Sequence, residues 1–308
     1  VRGCPPSPQS TSVHRTCPPT PATGCAARCT MALVGQVAVI TGGAGGIGMS
    51  SAELWLADGG SVVLADISDQ KGQDFAARFP GRVTYVHCDT RRRADLEAAA
   101  AAAAKLGQLT CWFNNAGFGE PQDGIRNMYK SSSADSLRKM IDVNLSAYVE
   151  GTSIAMQNFS KERGGTIICT ASMAGLLPLG APPVYSATKA ANVQFVRAMG
   201  LTLGDDSKVR IYCLCPSYTA TNQGPPPDAI QKSLGGVLQA KHMARGFQLF
   251  LQRRPPNGSV MRVTVRDRGA RVVHDLVVYG RELGGKEKPR DGVLLEEAPL
   301  EAYPVSKL

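Results

Sequence analysis

Aromatic residues are scarce, at 6% of the 308-residue chain, and no apolar run exceeds the seven alanines 98–104. A helix needs about 20 consecutive apolar residues to cross a bilayer, so no membrane span is expected. Histidine occurs four times (His14, His87, His242, His274) without ligand spacing, and nine cysteines are too sparse for a disulfide framework. Four of these, Cys4, Cys17, Cys25 and Cys29, fall in residues 1–30, which hold no Leu, Ile, Phe or acidic residue. Such a segment buries too little to offset its own ordering. Residues 1–30 are therefore read as a disordered leader or a gene-model artefact, with Met31 as the expected start of translation. Cys88, Cys111, Cys169, Cys213 and Cys215 lie in or beside apolar runs and read as small core residues. Cys213 and Cys215 are expected on opposite faces of one strand, a poor chelating pair, and no metal site is expected.

Charge is also uneven. The net +9 comes mainly from 241–274, where Lys241 and seven arginines face Asp267 alone. Nucleic-acid binding would pair such a surface with stacking aromatics, and only Phe247 and Phe250 occur there. Their spacing in GFQLFLQ suits an amphipathic helix, so the basic stretch is read as a solvated face or the rim of a site for an anionic substrate. No nucleic-acid partner is expected.

From residue 36 apolar strands alternate with helical stretches. QVAVIT (36–41), SVVLAD (61–66), RVTYVHC (82–88), TCWFN (110–114), TIICTA (166–171), VRIYCLC (209–215) and VMRVTVRD (260–267) read as strands. Helices are expected after the first strand, at about 69–79, over 91–106, between 114 and 166, and at about 184–203. Strands apolar on both faces and alternating with helices predict one α/β domain, a mostly parallel sheet covered by helices on both faces. The domain is expected over 31–280, with 281–308 as a polar C-terminal tail.

Between the first strand and its helix lies Thr41-Gly42-Gly43-Ala44-Gly45-Gly46-Ile47-Gly48, which satisfies both G-x-G-x-x-G and T-G-x-x-x-G-x-G. Glycines there let the backbone turn tightly and approach a pyrophosphate, which the helix N-terminus favours. Asp66, 18 residues past Gly48, closes the second strand. A carboxylate at that point accepts ribose hydroxyls and repels a 2′-phosphate, and no Arg or Lys lies in 42–67 to receive one. NAD is expected over NADP. Tyr185 and Lys189 share a helix face at i, i+4. A phenol, ordinarily a poor base, loses its proton more readily beside an ammonium and then suits transfer of a hydroxyl proton. Ser172, just past the fifth strand, is placed to hold a substrate oxygen.

These residues, together with Asp89, Asn114-Asn115-Ala116-Gly117, Asn144 in DVNL and Pro216, occur in an order that resembles the short-chain dehydrogenase/reductase family from about Gly35 to Val265. The resemblance implies a single doubly wound Rossmann domain and an NAD-dependent enzyme interconverting a secondary alcohol and a ketone. It also implies residue roles. Gly42, Gly46, Ile47 and Gly48 would line the pyrophosphate, Asp66 and Ile67 the adenosine ribose, and Asp89 with Thr90 the adenine. Asn115, Ala116 and Gly117 would flank the middle of the cofactor, with Thr219 and Thr221 at the nicotinamide carboxamide. Tyr185 would be the acid/base, and Lys189 would bind the nicotinamide ribose and lower the tyrosine pKa. Ser172 would orient substrate and Asn144 support a proton-relay water. Where the family has Pro-Gly after the sixth strand this chain has Pro216-Ser217, whose added Cβ is expected to adjust the loop.

Within the family, GTIICTASMAGLLPLGAPPVYSATKAAN and NGSVMRVTV are most similar to the NAD-dependent 15-hydroxyprostaglandin dehydrogenase branch. This points to a lipid-like alcohol such as a hydroxy fatty acid or oxylipin, although that branch's substrate-contacting Gln is replaced around Ala181-Pro182. A 3-hydroxyacyl-CoA dehydrogenase or 3-oxoacyl reductase is the alternative of the same chemistry, and a non-catalytic nucleotide sensor the alternative of another class. A homodimer or tetramer follows from the resemblance alone. Ser306-Lys307-Leu308 reads as a peroxisomal address for an import receptor, with the cytoplasm as the alternative location.

Overall fold

QVAVIT forms β1 (Gln36–Thr41), and every residue after Gln36 is buried. A strand buried on both faces needs neighbours on both edges and a layer on either side, and the chain supplies them in turn. The computed structural model describes residues 33–119, 134–178, 183–220, 237–266, 271–278 and 290–299. Contacts group Met31–Leu308 as one unit. Its strands are β1, β2 (Ser61–Asp66), β3 (Val83–His87), β4 (Gln108–Asn114), β5 (Gly165–Thr170), β6 (Val209–Pro216), the short pair β7 (Thr219–Ala220) and β8 (Leu238–Gln239), β9 (Val260–Arg266), β10 (Arg271–Val278) and β11 (Arg290–Pro299). Its helices are α1 (Gly46–Ala57), α2 (Asp69–Ala77), α3 (Arg93–Leu106), α4 (Ala134–Ile141), α5 (Ala147–Asn158), α6 (Pro183–Leu203) and α7 (Ala240–Arg253). A π-helical turn, Asp142–Ser146, joins α4 to α5.

The main sheet runs β11-β10-β9-β6-β5-β4-β1-β2-β3. It is parallel from β3 to β9 and antiparallel from β9 to β11. The expected architecture, a mostly parallel sheet covered on both faces, is the one observed. Alternate side chains sort into two cores. Val37, Val39, Trp112 and Ile167 pack with α3, α5 and α6, whereas Ala38, Ile40, Phe113 and Ile168 pack with α1 and α7. In the alanine run Ala99, Ala100 and Ala103 are buried and Ala98, Ala101 and Ala104 are exposed, so small side chains let α3 lie close to the sheet. Aromatics are few but concentrated. Phe247 of α7 meets Phe113 at 5.0 Å and Trp55 at 6.3 Å between ring centroids, and Phe250 stacks on Tyr212 at 4.6 Å.

Two expectations are corrected. Positions two apart in a strand share a face, so Cys213 and Cys215 lie in the same core with sulfurs 4.0 Å apart. Both are free thiols, and no group of metal ligands forms among the described residues. The supposed tail is also not all tail, since 290–299 is β11, paired antiparallel with β10. Its charges are what hid it. Glu297 pairs with Arg271 at 2.9 Å, and Glu296 takes a two-pronged ion pair from Arg245 of α7. Buried Asp275 in β10 receives the Arg262 guanidinium, with Arg266 3.9 Å away. Much of the basic stretch is thus consumed within the protein, and Leu295 packs against the core beneath α7.

Phe247→Ala removes the ring that joins α7 to two other aromatics and is expected to cost about 3–5 kcal/mol in urea unfolding, without a change of fold by circular dichroism.

Candidate active site

The carboxyl ends of β1 and β4 are tied together. The Thr41 hydroxyl donates to the Phe113 carbonyl at 3.3 Å and accepts the Asn115 and Ala116 N–H groups at 3.0 and 3.2 Å. The Asn115 amide returns two bonds, to the Thr41 and Gly42 carbonyls at 3.1 and 3.3 Å. Gly42 turns the chain at φ +63, and a Cβ there would lie 2.8 Å from Ala116 Cα. A Cβ at Gly48 would lie 2.4 Å from the Gly42 carbonyl oxygen. These two glycines therefore serve the loop's own packing. Gly46 differs, because the nearest atom to a Cβ there is Ala240 Cβ at 3.5 Å. The first turn of α1 carries no acidic residue and no side-chain cap. Its N–H groups and the bare Gly45–Gly46 backbone thus form a cradle for an anion.

The loop opens on a cleft of about 550 Å³ that Gly42, Gly46, Ile47, Asp66, Ile67, Asp89, Thr90, Asn115, Ala116 and Gly117 all line. Asp66 holds the Ala44 N–H at 3.0 Å through one oxygen and the Ser68 N–H at 2.9 Å through the other. A carboxylate has about four acceptor positions, so capacity for two ribose hydroxyls remains. Asp89 is more occupied than expected. The Arg91 Nε lies 2.9 and 3.1 Å from its two oxygens and holds the carboxyl below its usual range. Arg91 also lines the cleft, as do Lys71, Phe118, Lys139 and Val143, none of which motif reading singled out. They project from beside the motif residues, so only the fold turns them inward. Thr219 is not among the lining residues; its hydroxyl donates to the Ser217 carbonyl at 3.1 Å. Thr221 and Ala181-Pro182 lie outside the described residues. Ser217 needs no left-handed backbone, and its N–H donates to the Val263 carbonyl at 2.8 Å, continuing the ladder between β6 and β9.

Of the four expected chemical residues, Asn144 and Lys189 come to Gly117, and none of the four is among the residues that line the cleft. A point one Cβ out from Gly117 is 3.1 Å from Asn144 Oδ1 and 3.4 Å from Lys189 Nζ. Asn144, buried in the π-helical turn, clamps Phe118 by accepting its N–H at 3.1 Å and donating to its carbonyl at 2.9 Å. The Asn144 carbonyl accepts the Asn192 amide at 2.7 Å. Ser172 caps the short turn Met173–Gly175 by accepting the Ala174 N–H, and its side chain is hydrogen-bonded to Tyr185. Lys189 is buried, donates to the Thr170 carbonyl at 2.8 Å, and lies 5.6 Å from the centre of the Tyr185 ring. Burial holds its ammonium down to about 8.

One expectation about this group is corrected. The Tyr185 phenol is raised, not lowered, because burial outweighs the Ser172 hydrogen bond that favours the phenolate. Lys189 lies 5.6 Å from the centre of the Tyr185 ring and donates to the Thr170 carbonyl.

Gly48→Ala is expected to lower the thermal midpoint sharply. Gly46→Ala should keep that midpoint yet weaken dinucleotide binding measured by calorimetry. Lys189→Met should raise urea stability at pH 7 by on the order of 3 kcal/mol, since a buried ammonium is replaced by an apolar chain. That gain should shrink as pH rises from about 8 to the usual lysine value of 10.5. In that window the unfolded lysine still binds a proton and the folded one does not, so wild-type stability climbs with pH.

Comparison with known proteins gives the family. Residues 36–226 match the family model described as short chain dehydrogenase. The chain is 35% identical over 218 residues to a mitochondrial borneol dehydrogenase of Lavandula x intermedia, covering 69% of this chain and 82% of that protein. It is 38% identical over 191 residues to momilactone A synthase of Oryza sativa subsp. japonica, covering 61% and 68%. Among solved structures, a short chain dehydrogenase/reductase from Burkholderia phymatum in complex with NAD superposes with a TM-score of 0.61 at 26% identity, covering 73% of this chain and 88% of that one. On the strength of these matches, this chain belongs to the short-chain dehydrogenases.

Proposed function

We propose that this protein is an NAD-dependent oxidoreductase that interconverts a secondary alcohol and a ketone on an apolar, lipid-like substrate such as a hydroxy fatty acid or an oxylipin. The observation that supports the reading is that Lys189 and Asn144 stand next to Gly117, a residue of the cleft that Asp66 and the α1 cradle also line. Lys189 also lies 5.6 Å from the centre of the Tyr185 ring, whose hydroxyl is hydrogen-bonded to Ser172.

When bound, NAD supplies the hydride acceptor. The α1 N-terminus and Gly46 would hold its pyrophosphate, and Asp66 would accept the two hydroxyls of its adenosine ribose. A 2′-phosphate would bring its charge against Asp66, which favours NAD over NADP. Ser172 would orient the substrate oxygen beside the Tyr185 hydroxyl. At neutral pH the raised phenol keeps its proton, the form that donates to a ketone oxygen. Alcohol oxidation runs the transfer backwards, with the Tyr185 oxygen taking the hydroxyl proton. Lys189, charged below about 8, would favour the phenolate that forms when Tyr185 gives its proton to the ketone oxygen.

The apolar substrate class has three supports. The turn bearing Ser172 continues into Leu176 and Leu177, the latter exposed, so the chain bordering the substrate oxygen is hydrocarbon. Phe118 and Val143 line the same end of the cleft as Gly117. The motifs in 165–192 resemble, by sequence alone, the 15-hydroxyprostaglandin dehydrogenase branch.

A panel of hydroxy fatty acids, oxylipins, hydroxyacyl-CoAs and steroids, scored by NADH absorbance, should show turnover of apolar secondary alcohols with at least tenfold preference for NAD over NADP. Tyr185→Phe should lower kcat/KM by about 10²–10⁴-fold. Undiminished NADH production by that variant would overturn the reading in favour of a nucleotide-binding protein without catalysis.

A further inference from the structure

Tyr148 belongs to no motif, yet its side chain stands inside the chemical group. It lies one helical turn past Asn144, in the first turn of α5, and is 1% exposed. Its hydroxyl donates to the Thr170 carbonyl at 3.1 Å, the same oxygen that receives Lys189 Nζ at 2.8 Å. Its ring centre is 5.2 Å from that ammonium, nearer than the Tyr185 ring at 5.6 Å. The point one Cβ out from Gly117 that approaches Asn144 and Lys189 also lies 3.8 Å from the Tyr148 hydroxyl oxygen. The backbone of Tyr148 is fixed as well, because its carbonyl accepts the buried Asn114 amide at 3.2 Å.

We propose that Tyr148 is a positioning residue for Lys189: its ring face holds the ammonium, and its hydroxyl occupies one lone pair of the Thr170 carbonyl, leaving Lys189 a single docking place. A carbonyl oxygen offers two lone pairs. With one taken by Tyr148, the ammonium binds the other and keeps its remaining N–H groups for the Gly117 end of the cleft. A ring face stabilises a desolvated cation, so Tyr148 also offsets part of the burial that disfavours the charged lysine. The other titratable groups facing Lys189 are Tyr185 on its own helix, Cys169 on β5, and Cys213 and Cys215 on β6. Burial pushes the Cys169 thiol up to about 12 and holds the Cys213 thiol well above its usual range, and no carboxylate contributes among the described residues. The Tyr148 phenol is itself pushed well above its usual value, so it remains a donor throughout the working range.

The inference rests on the Tyr185/Lys189 chemistry proposed above. Its test is the pH dependence of kcat/KM for ketone reduction, where neutralisation of Lys189 sets the falling limb, in the wild type, Tyr148→Phe and Tyr148→Leu. Tyr148→Leu removes the ring face, and the limb should move down by about one pH unit, the tenfold a desolvated cation–π contact commands. Tyr148→Phe keeps the ring and frees the carbonyl, so the limb should stay or rise while kcat falls several-fold and KM for the ketone holds. In a Lys189→Met background the effect of Tyr148→Phe should vanish, which a purely structural role would not produce. An unmoved limb in folded Tyr148→Leu, or an undiminished Tyr148→Phe effect in the Lys189→Met background, overturns the role of Tyr148. If Tyr148→Leu fails to fold, the Tyr148→Phe cycle alone decides. Full activity of Tyr185→Phe would instead strike the underlying chemistry, so the two failures are separable.

Discussion

Strands buried on both faces leave polar side chains almost no place except where the strands end. β1, β2, β4 and β5 obey this constraint closely. Apart from Thr110 and Thr166, their interiors are Val, Ile, Leu, Ala, Cys and aromatic residues, and their last positions are Thr41, Asp66, Asn114 and Thr170. Because the strands are parallel, these ends gather on one side of the sheet. The order reverses between β1 and β4, where the chain leaves β3 and returns across β1, and a crevice opens at that point. The Thr41–Asn115 bonds close the bottom of the crevice and hold its two lips in register. Everything the site does is arranged along this line of strand ends.

The energetics of the site follow from one expensive choice, an ammonium inside the protein. Lys189 is 3% exposed among core side chains and thiols, where desolvation strongly disfavours its charge. The Thr170 carbonyl and two ring faces compensate in part. The result is a lysine whose proton is loosely held near neutrality beside a phenol whose proton is tightly held. Two groups with proton affinities pushed in opposite directions by the same burial suit a site where a proton must move both ways. The clamp of Asn144 on Phe118 and its own carbonyl bond to Asn192 keep this end of the cleft rigid while the proton shifts.

Much of this was legible in the chain because parallel α/β folds repeat short-range signals. Glycines between strand and helix, Asp66 at a strand end, and Tyr185 four residues before Lys189 depend on local geometry alone. Other features were not. Arg91 and Lys71 look like any exposed helix-boundary cations, and only the path of β2 and β3 turns them to the cleft. Tyr148 has the appearance of a core aromatic. Its proximity to Lys189 requires α5 and α6 to pack on the same face of the sheet, which no local pattern states. Strand β11 was missed because Glu296, Glu297 and the arginines read as solvated charges until paired across elements. Alternation along β6 puts Cys213 and Cys215 on one face, with sulfurs 4.0 Å apart in one core.

By itself the sequence determined the class of the fold, the dinucleotide cradle and the identities of the chemical group, because these rest on hydrophobic period, glycine geometry and fixed spacings within one element. Only the tertiary structure decided the electrostatic state of the group and the end of the sheet. Whether Tyr185 is raised or lowered depends on how deeply it is buried, set against the hydrogen bond from Ser172. Whether 290–299 forms a strand depends on arginines contributed by α7 and β10. Burial and charge pairing are properties of surfaces brought together from distant parts of the chain, and they exist only once the chain has folded.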